Sequence, residues 1–156
     1  MPTIKLTLEY EGTHYAGWQR QLNQPTIQEA LETAITKVTR QTISVIAAGR
    51  TDAGVHALGQ VVSFRIDRDM TAYEWTMALN AHLPPDISVR AVDFPPPEFH
   101  ARYKATGKLY QYRILNRSPR LALNRQLFWH VYKPLDDAAM NLAASVSYTH
   151  LRAHET

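Results

Sequence analysis

Ile4, Leu6, Leu8 and Tyr10 alternate with Lys5, Thr7 and Glu9, and this period of two predicts a half-buried β-strand. Glu11-Gly12 closes it, and a loop runs to Pro25. Thr26-Ile27-Gln28-Glu29 has the spacing of a capping box. Ile27, Ala30, Leu31, Ala34, Ile35 and Val38 then recur at helical intervals and predict a helix over 26–39. The β-branched run from Ile43 to Ala47 reads as a second strand ending at Gly49, and Val62, Phe64 and Ile66, alternating with Ser63 and Arg65, as a third. Thr71-Ala72-Tyr73-Glu74 repeats the capping box and opens a helix towards Leu83, which Pro84 and Pro85 close. Ile87 to Phe94 is the fourth strand.

The order β-α-β-β-α-β predicts an α+β fold of the ferredoxin-like kind, with both helices on one face of an antiparallel sheet. The other face is then free for a partner, as in many RNA-binding domains. Pro95, Pro96 and Pro97 form a stiff connector that cannot continue a ladder, so a first domain is expected over 1–97. A second α+β unit is expected over 98–145. In it Tyr110, Tyr112 and Ile114 alternate with Gln111 and Arg113 as a strand, Phe128 to Tyr132 is a short strand, and Leu135 to Ala144 starts a helix. Two strands and one helix make this unit a truncated one. From Val146 the helical pattern stops, and Val146 to Thr156 resembles an in-frame translation of a sequencing-library adapter. These residues are read as a non-native tail over 146–156 and set aside from the fold.

Composition narrows the class. The chain has 156 residues, 45% hydrophobic and 20% charged, which describes a folded protein rather than a disordered one. There is no Cys, so disulfide frameworks, thiolate zinc sites and cysteine nucleophiles are excluded together, and a reducing, cytoplasmic setting fits. No apolar run approaches the length of a membrane span, and the N-terminus lacks the pattern of a signal peptide. The net charge of +3 is compatible with an anionic partner without requiring one. Of the seven His, only His150 and His154 have i,i+4 spacing, and both lie in the tail, so no metal site is expected.

The segment richest in chemistry is Gly49-Arg50-Thr51-Asp52-Ala53-Gly54-Val55-His56-Ala57. It is a Gly-bounded loop between two strands that carries a cation, a hydroxyl, a carboxylate and an imidazole. Loops held by rigid strands commonly carry catalytic groups. An Asp beside Gly is, on general grounds, more often a turn residue that bonds its own backbone.

This segment resembles the signature of the TruA family of tRNA pseudouridine synthases. Further stretches resemble the family in the same order: Tyr10-Glu11-Gly12-Thr13, Gly17-Trp18-Gln19, Thr26-Ile27-Gln28 with Leu31-Glu32, and Gln60-Val61-Val62 with Phe64. Leu79-Asn80, Leu83-Pro84, Phe99-His100-Ala101-Arg102 and Leu109-Tyr110-Gln111-Tyr112 follow. The resemblance implies an isomerase that turns uridine into pseudouridine in the anticodon stem-loop of tRNA, at positions 38, 39 and 40, without cofactor or metal. Members act as homodimers. Asp52 matches the family's catalytic aspartate, the nucleophile towards either the uracil ring or the ribose C1′. Arg50 matches the arginine linked to holding the base flipped out, and it is also a charge partner for Asp52 by its place in the loop. Tyr110 matches the active-site tyrosine, which stacks on uracil and serves as acid or base in the late proton shift from C5. By periodicity alone Tyr110 is a packing aromatic, the reading that Tyr112 keeps.

Thr51, His56, Arg102 and Lys108 are expected to bind substrate, and the basic stretch from Arg102 to Arg125, with Tyr103, Tyr110 and Tyr112 among it, to meet the tRNA backbone. The alternative is a non-catalytic RNA-binding ferredoxin-like module. A carboxylate facing anionic RNA speaks against pure binding. The expectation for the chain itself is an N-terminal fragment that is inactive alone.

Overall fold

The computed structural model describes the backbone of residues 1–150 and the side chains of residues 1–145. It divides into two compact units, Met1–Lys108 and Leu109 onward.

In the first unit the elements run β1 (Thr3–Tyr10), α1 (Ile27–Thr39), β2 (Ile46–Ala47), β3 (Ala57–Arg65), α2 (Ala72–Asn80) and β4 (Ile87–Asp93). They build a four-stranded sheet of order β2-β3-β1-β4, antiparallel at every pair. Each helix therefore connects two strands that have another strand between them. Ile4, Leu6, Leu8 and Tyr10 lie on one sheet face, with Leu6 opposite Val62 and Val92 and Ile4 opposite Phe64. That face is buried together with Ile27, Leu31, Ala34 and Ile35 of α1 and Trp75 and Leu79 of α2, a single core. Phe64 and Trp75 meet edge to face at 5.8 Å, tying the sheet to α2.

The helix starts are as the sequence predicts, with one difference. At α2 the box closes fully: Glu74 N–H donates to Thr71 Oγ1, and Thr71 N–H donates back to Glu74 Oε2 at 2.8 Å. At α1 Thr26 accepts from Glu29 N–H, but the Glu29 carboxylate turns to Arg20 at 3.1 Å instead. The second strand is shorter than its β-branched run. Val45 N–H donates to the buried Glu32 carboxylate at 3.1 Å rather than to a ladder, so pairing starts only at Ile46. The third strand is longer and begins at Ala57, inside the signature segment, where Ala57 faces Tyr10.

The opposite sheet face is not wholly free. Thr3 and Arg65 donate to Pro97 C=O, and Ala101 N–H donates to Ser63 Oγ, so the segment after the prolines lies over one end of it. These bonds carry the first unit past residue 97 to Lys108. Exposed ion pairs Lys5–Asp93 and Glu9–Arg90 line the rest of that face.

The second unit holds β5 (Ile114–Asn116), a single 3-10 turn at Arg125–Leu127, β6 (Trp129–Val131) and α3 (Asp137–His150). β5 and β6 pair in parallel, Ile114 with Trp129. The expected strand over Tyr110 to Ile114 is not formed: Tyr110 and Tyr112 are exposed in irregular backbone, because only 114–116 finds a partner. The α3 backbone continues to His150, past the point where the side-chain pattern stops. The remaining tail residues, 151–156, lie outside the described residues.

Candidate active site

The loop from Gly49 to His56 lies between the short edge strand β2 and β3, at the end of the sheet where β1 finishes. It is fastened from several sides, through backbone and side chains. Gln60, in β3, donates from Nε2 to Gly49 C=O at 2.7 Å. The Tyr10 hydroxyl, at the end of β1, is 2.8 Å from Thr51 Oγ1. Trp18 N–H donates to Thr51 C=O at 2.9 Å, and Gly54 N–H donates to Tyr15 C=O at 3.2 Å. Gly12 N–H donates to His56 Nδ1 at 3.1 Å. Within the loop Val55 N–H donates to Asp52 C=O, which makes the Asp52–Val55 segment a turn.

The segment 12–18 can lie this close because of two glycines. A Cβ on Gly12 would sit 2.1 Å from Val55 O. A Cβ on Gly17, whose φ is +96°, would sit 2.6 Å from Thr51 O. The same segment is pinned at its other side by Tyr15, whose hydroxyl donates to Asp86 Oδ1 at 2.7 Å. Burial, then the bond to Asp86 and its negative charge, push the Tyr15 phenol far above its ordinary range. Burial also pushes the Tyr10 phenol up, partly offset by its hydrogen bonds with Thr51 and Gln60. Both phenols are therefore protonated at neutral pH.

On this base the side chains of Arg50 and Asp52 are exposed, while Thr51 and His56 are half-buried. The structure brings these four residues together. It forms no ion pair between Arg50 and Asp52, so the charge-partner geometry expected from their spacing is absent. Lys108 joins the site, since its Cε lies 3.0 Å from where a Gly49 Cβ would be. Arg102 is exposed beside the stacked pair His100 and Tyr103, whose rings are 4.2 Å apart. Tyr110 belongs to the second unit, where it is exposed.

The anchors Tyr10, Gln60, Tyr15 and Trp18 carry no role in the sequence reading. These bonds close in the fold rather than along the chain; Tyr10, Trp18 and Gln60 stand in stretches that resemble the family, whereas nothing in the sequence singles out Tyr15. Among the described residues no group of three or more His, Asp or Glu is placed to hold a metal ion. No helix among them is long and apolar enough to cross a membrane.

An acid on an exposed loop that is bonded to the fold beneath it, with Arg50 two residues away and Lys108 packed near Gly49, suits nucleophilic chemistry on an anionic polymer. Residues 7–104 match the sequence profile of a family described as tRNA pseudouridine synthase. The chain belongs to that family. A protein called tRNA pseudouridine synthase A from Rhodospirillum centenum is 50% identical over 145 residues, covering 92% of this chain and 59% of that protein. Its counterparts in Allorhizobium ampelinum and Escherichia coli are 48% and 46% identical, covering 94% and 90% of this chain and 58% and 52% of their own lengths. The chain thus spans a little over half the length of the curated relatives it matches.

Proposed function

We propose that this sequence is part of a tRNA pseudouridine synthase that isomerises uridine to pseudouridine at positions 38, 39 and 40 of the anticodon arm. The observation that carries the reading is Asp52: an exposed carboxylate at the tip of a loop that is bonded through its backbone to Tyr15, Trp18 and Gln60 and through the Thr51 hydroxyl to Tyr10 beneath it. A residue that merely capped a turn would not need this base.

The reaction is an isomerisation. The bond between ribose C1′ and uracil N1 breaks, the base turns, and a bond forms between C1′ and C5. The C5 proton leaves and N1 gains one, so atoms and electrons balance with no oxidant or reductant. In this reading Asp52 is the nucleophile and, being a weak base, also a competent leaving group. Arg50 holds the base out of its stack. Tyr110, from the second unit, stacks on uracil and moves the C5 proton. Thr51, His56, Arg102 and Lys108 meet the RNA around the flipped nucleotide. The protein works as a cytoplasmic homodimer without a cofactor. The first unit adopts the ferredoxin-like arrangement, supported by its β-α-β-β-α-β order and its antiparallel sheet. The chain by itself, which spans a little over half the length of those relatives, is inactive.

The test is turnover by the full-length protein, read as tritium released from C5 of labelled uridine in tRNA transcripts. Asp52→Asn is expected to lose turnover by on the order of 10³-fold or more while tRNA affinity stays within about twofold. Wild-type-like release by Asp52→Asn would overturn the role of Asp52. Tight tRNA binding with no release by the wild-type protein would instead favour a non-catalytic RNA-binding module.

A further inference from the structure

We infer that Tyr10 and Gln60 are positioning residues for this reaction: they hold the Gly49–Thr51 segment from beneath, Gln60 by the Gly49 carbonyl and Tyr10 by the Thr51 hydroxyl, and so fix the base from which Arg50 and Asp52 project. The inference rests on the isomerase reading of the same site and adds two residues outside the loop.

Both side chains are in the core. Tyr10 is 3% exposed and Gln60 8%. Gln60 faces Leu8 across the ladder and follows the same alternation as Val62 and Phe64. Packing alone favours an aliphatic residue there, since a buried amide costs stability unless it is hydrogen-bonded. Likewise a Phe at 10 would fill the same space beside Trp18, whose ring centroid is 6.3 Å away. What distinguishes Gln from Leu and Tyr from Phe at these two positions is their polar atoms, and those atoms are committed to the loop. The Gln60 amide bonds Gly49 C=O, and the Tyr10 hydroxyl bonds Thr51 Oγ1. The two bonded residues, Gly49 and Thr51, flank Arg50, and Asp52 is next in the chain.

The exposed side chains of Arg50 and Asp52 form no ion pair with each other, so the loop backbone sets their direction. A misplacement of about 1 Å can cost on the order of 10²-fold in rate. The deep anchors therefore act on the chemical step, through Asp52 and the base held by Arg50, more than on overall tRNA affinity, to which the many other surface cations contribute.

Tyr10→Phe and Gln60→Leu in the full-length protein separate this role from a structural one. Both keep or improve apolar packing, so the expected result is an unchanged or higher Tm, KM and tRNA Kd within about twofold, and kcat lower by about 10- to 100-fold. Amide exchange gives a readout that does not depend on activity. In Tyr10→Phe the Trp18 amide, which donates to Thr51 C=O, should exchange faster by about tenfold, while the Leu6 amide in mid-strand should not. If Gln60→Leu fails to fold, Gln60→Met takes its place, and if Tyr10→Phe fails to fold, the variant at 60 decides alone: an undiminished kcat in the variant that folds overturns the inference. Wild-type turnover with undiminished kcat in both core variants overturns the positioning role alone. Absence of turnover in the wild-type protein overturns the isomerase reading, and the catalytic role of the anchors with it.

Discussion

The two units carry similar strand patterns and reach different ends. In the first, the alternation of Ile4, Leu6, Leu8 and Tyr10 becomes a central strand flanked by β3 and β4, with its apolar face fully buried. In the second, the alternation of Tyr110, Tyr112 and Ile114 becomes three paired residues at 114–116, and Tyr110, Tyr112, Trp129 and Tyr132 are exposed. Among the described residues, none after Ala101 is buried. A period of two states which face of a strand is apolar. It does not supply the neighbours that make the strand form, and an isolated two-stranded ribbon is only marginally stable in water.

The largest test of this contrast is a pair of truncations read by urea denaturation. Leu6→Ala removes a fully buried side chain from the sheet centre and should cost about 2–5 kcal/mol. Trp129→Ala removes a larger side chain that is 70% exposed and should change stability by no more than about 0.5 kcal/mol. A comparable cost at both positions would break the comparison. It would mean that Trp129 is buried in solution.

How far the sequence could be read follows the same division. Where a pattern is local and a partner is near, it was legible: both helix starts, the β1 face and the order of the first six elements follow from spacing and caps. The exact strand ends were not, because long-range bonds set them. Val45 leaves the ladder for Glu32, and β3 extends back to Ala57 because Tyr10 is there to pair with it. The site divides likewise. Arg50, Thr51, Asp52 and His56 stand in one continuous segment and could be singled out together. Tyr10, Tyr15, Trp18 and Gln60 approach that segment only in the fold, through bonds that no spacing in the chain announces.

A smaller effect comes from the helix caps, and it sharpens the contrast between units. Thr71→Ala removes the α2 cap in the first unit and should cost about 1 kcal/mol of global stability. Asp136 caps α3 in the second unit, accepting from Ala139 N–H at 2.9 Å. Asp136→Ala should lower helical circular dichroism without moving the urea midpoint of the first unit. A shifted midpoint would show that the two units unfold as one.

The smallest effect is a dependence on pH within the α2 cap. Bonds from Thr71, first its N–H and then its hydroxyl, hold the Glu74 carboxyl below its ordinary value of 4.5. A carboxyl whose value is lower in the folded state stabilises fully above the unfolded value. Its contribution is lost as pH falls through the lower folded value. Glu74→Gln should therefore be less stable than wild type at neutral pH, and the difference should close in strong acid. The measurement is the urea midpoint of both proteins across the acid range. If the gap persists unchanged to the lowest pH, the stabilisation comes from the shape of the side chain at 74 and not from its charge at the helix start.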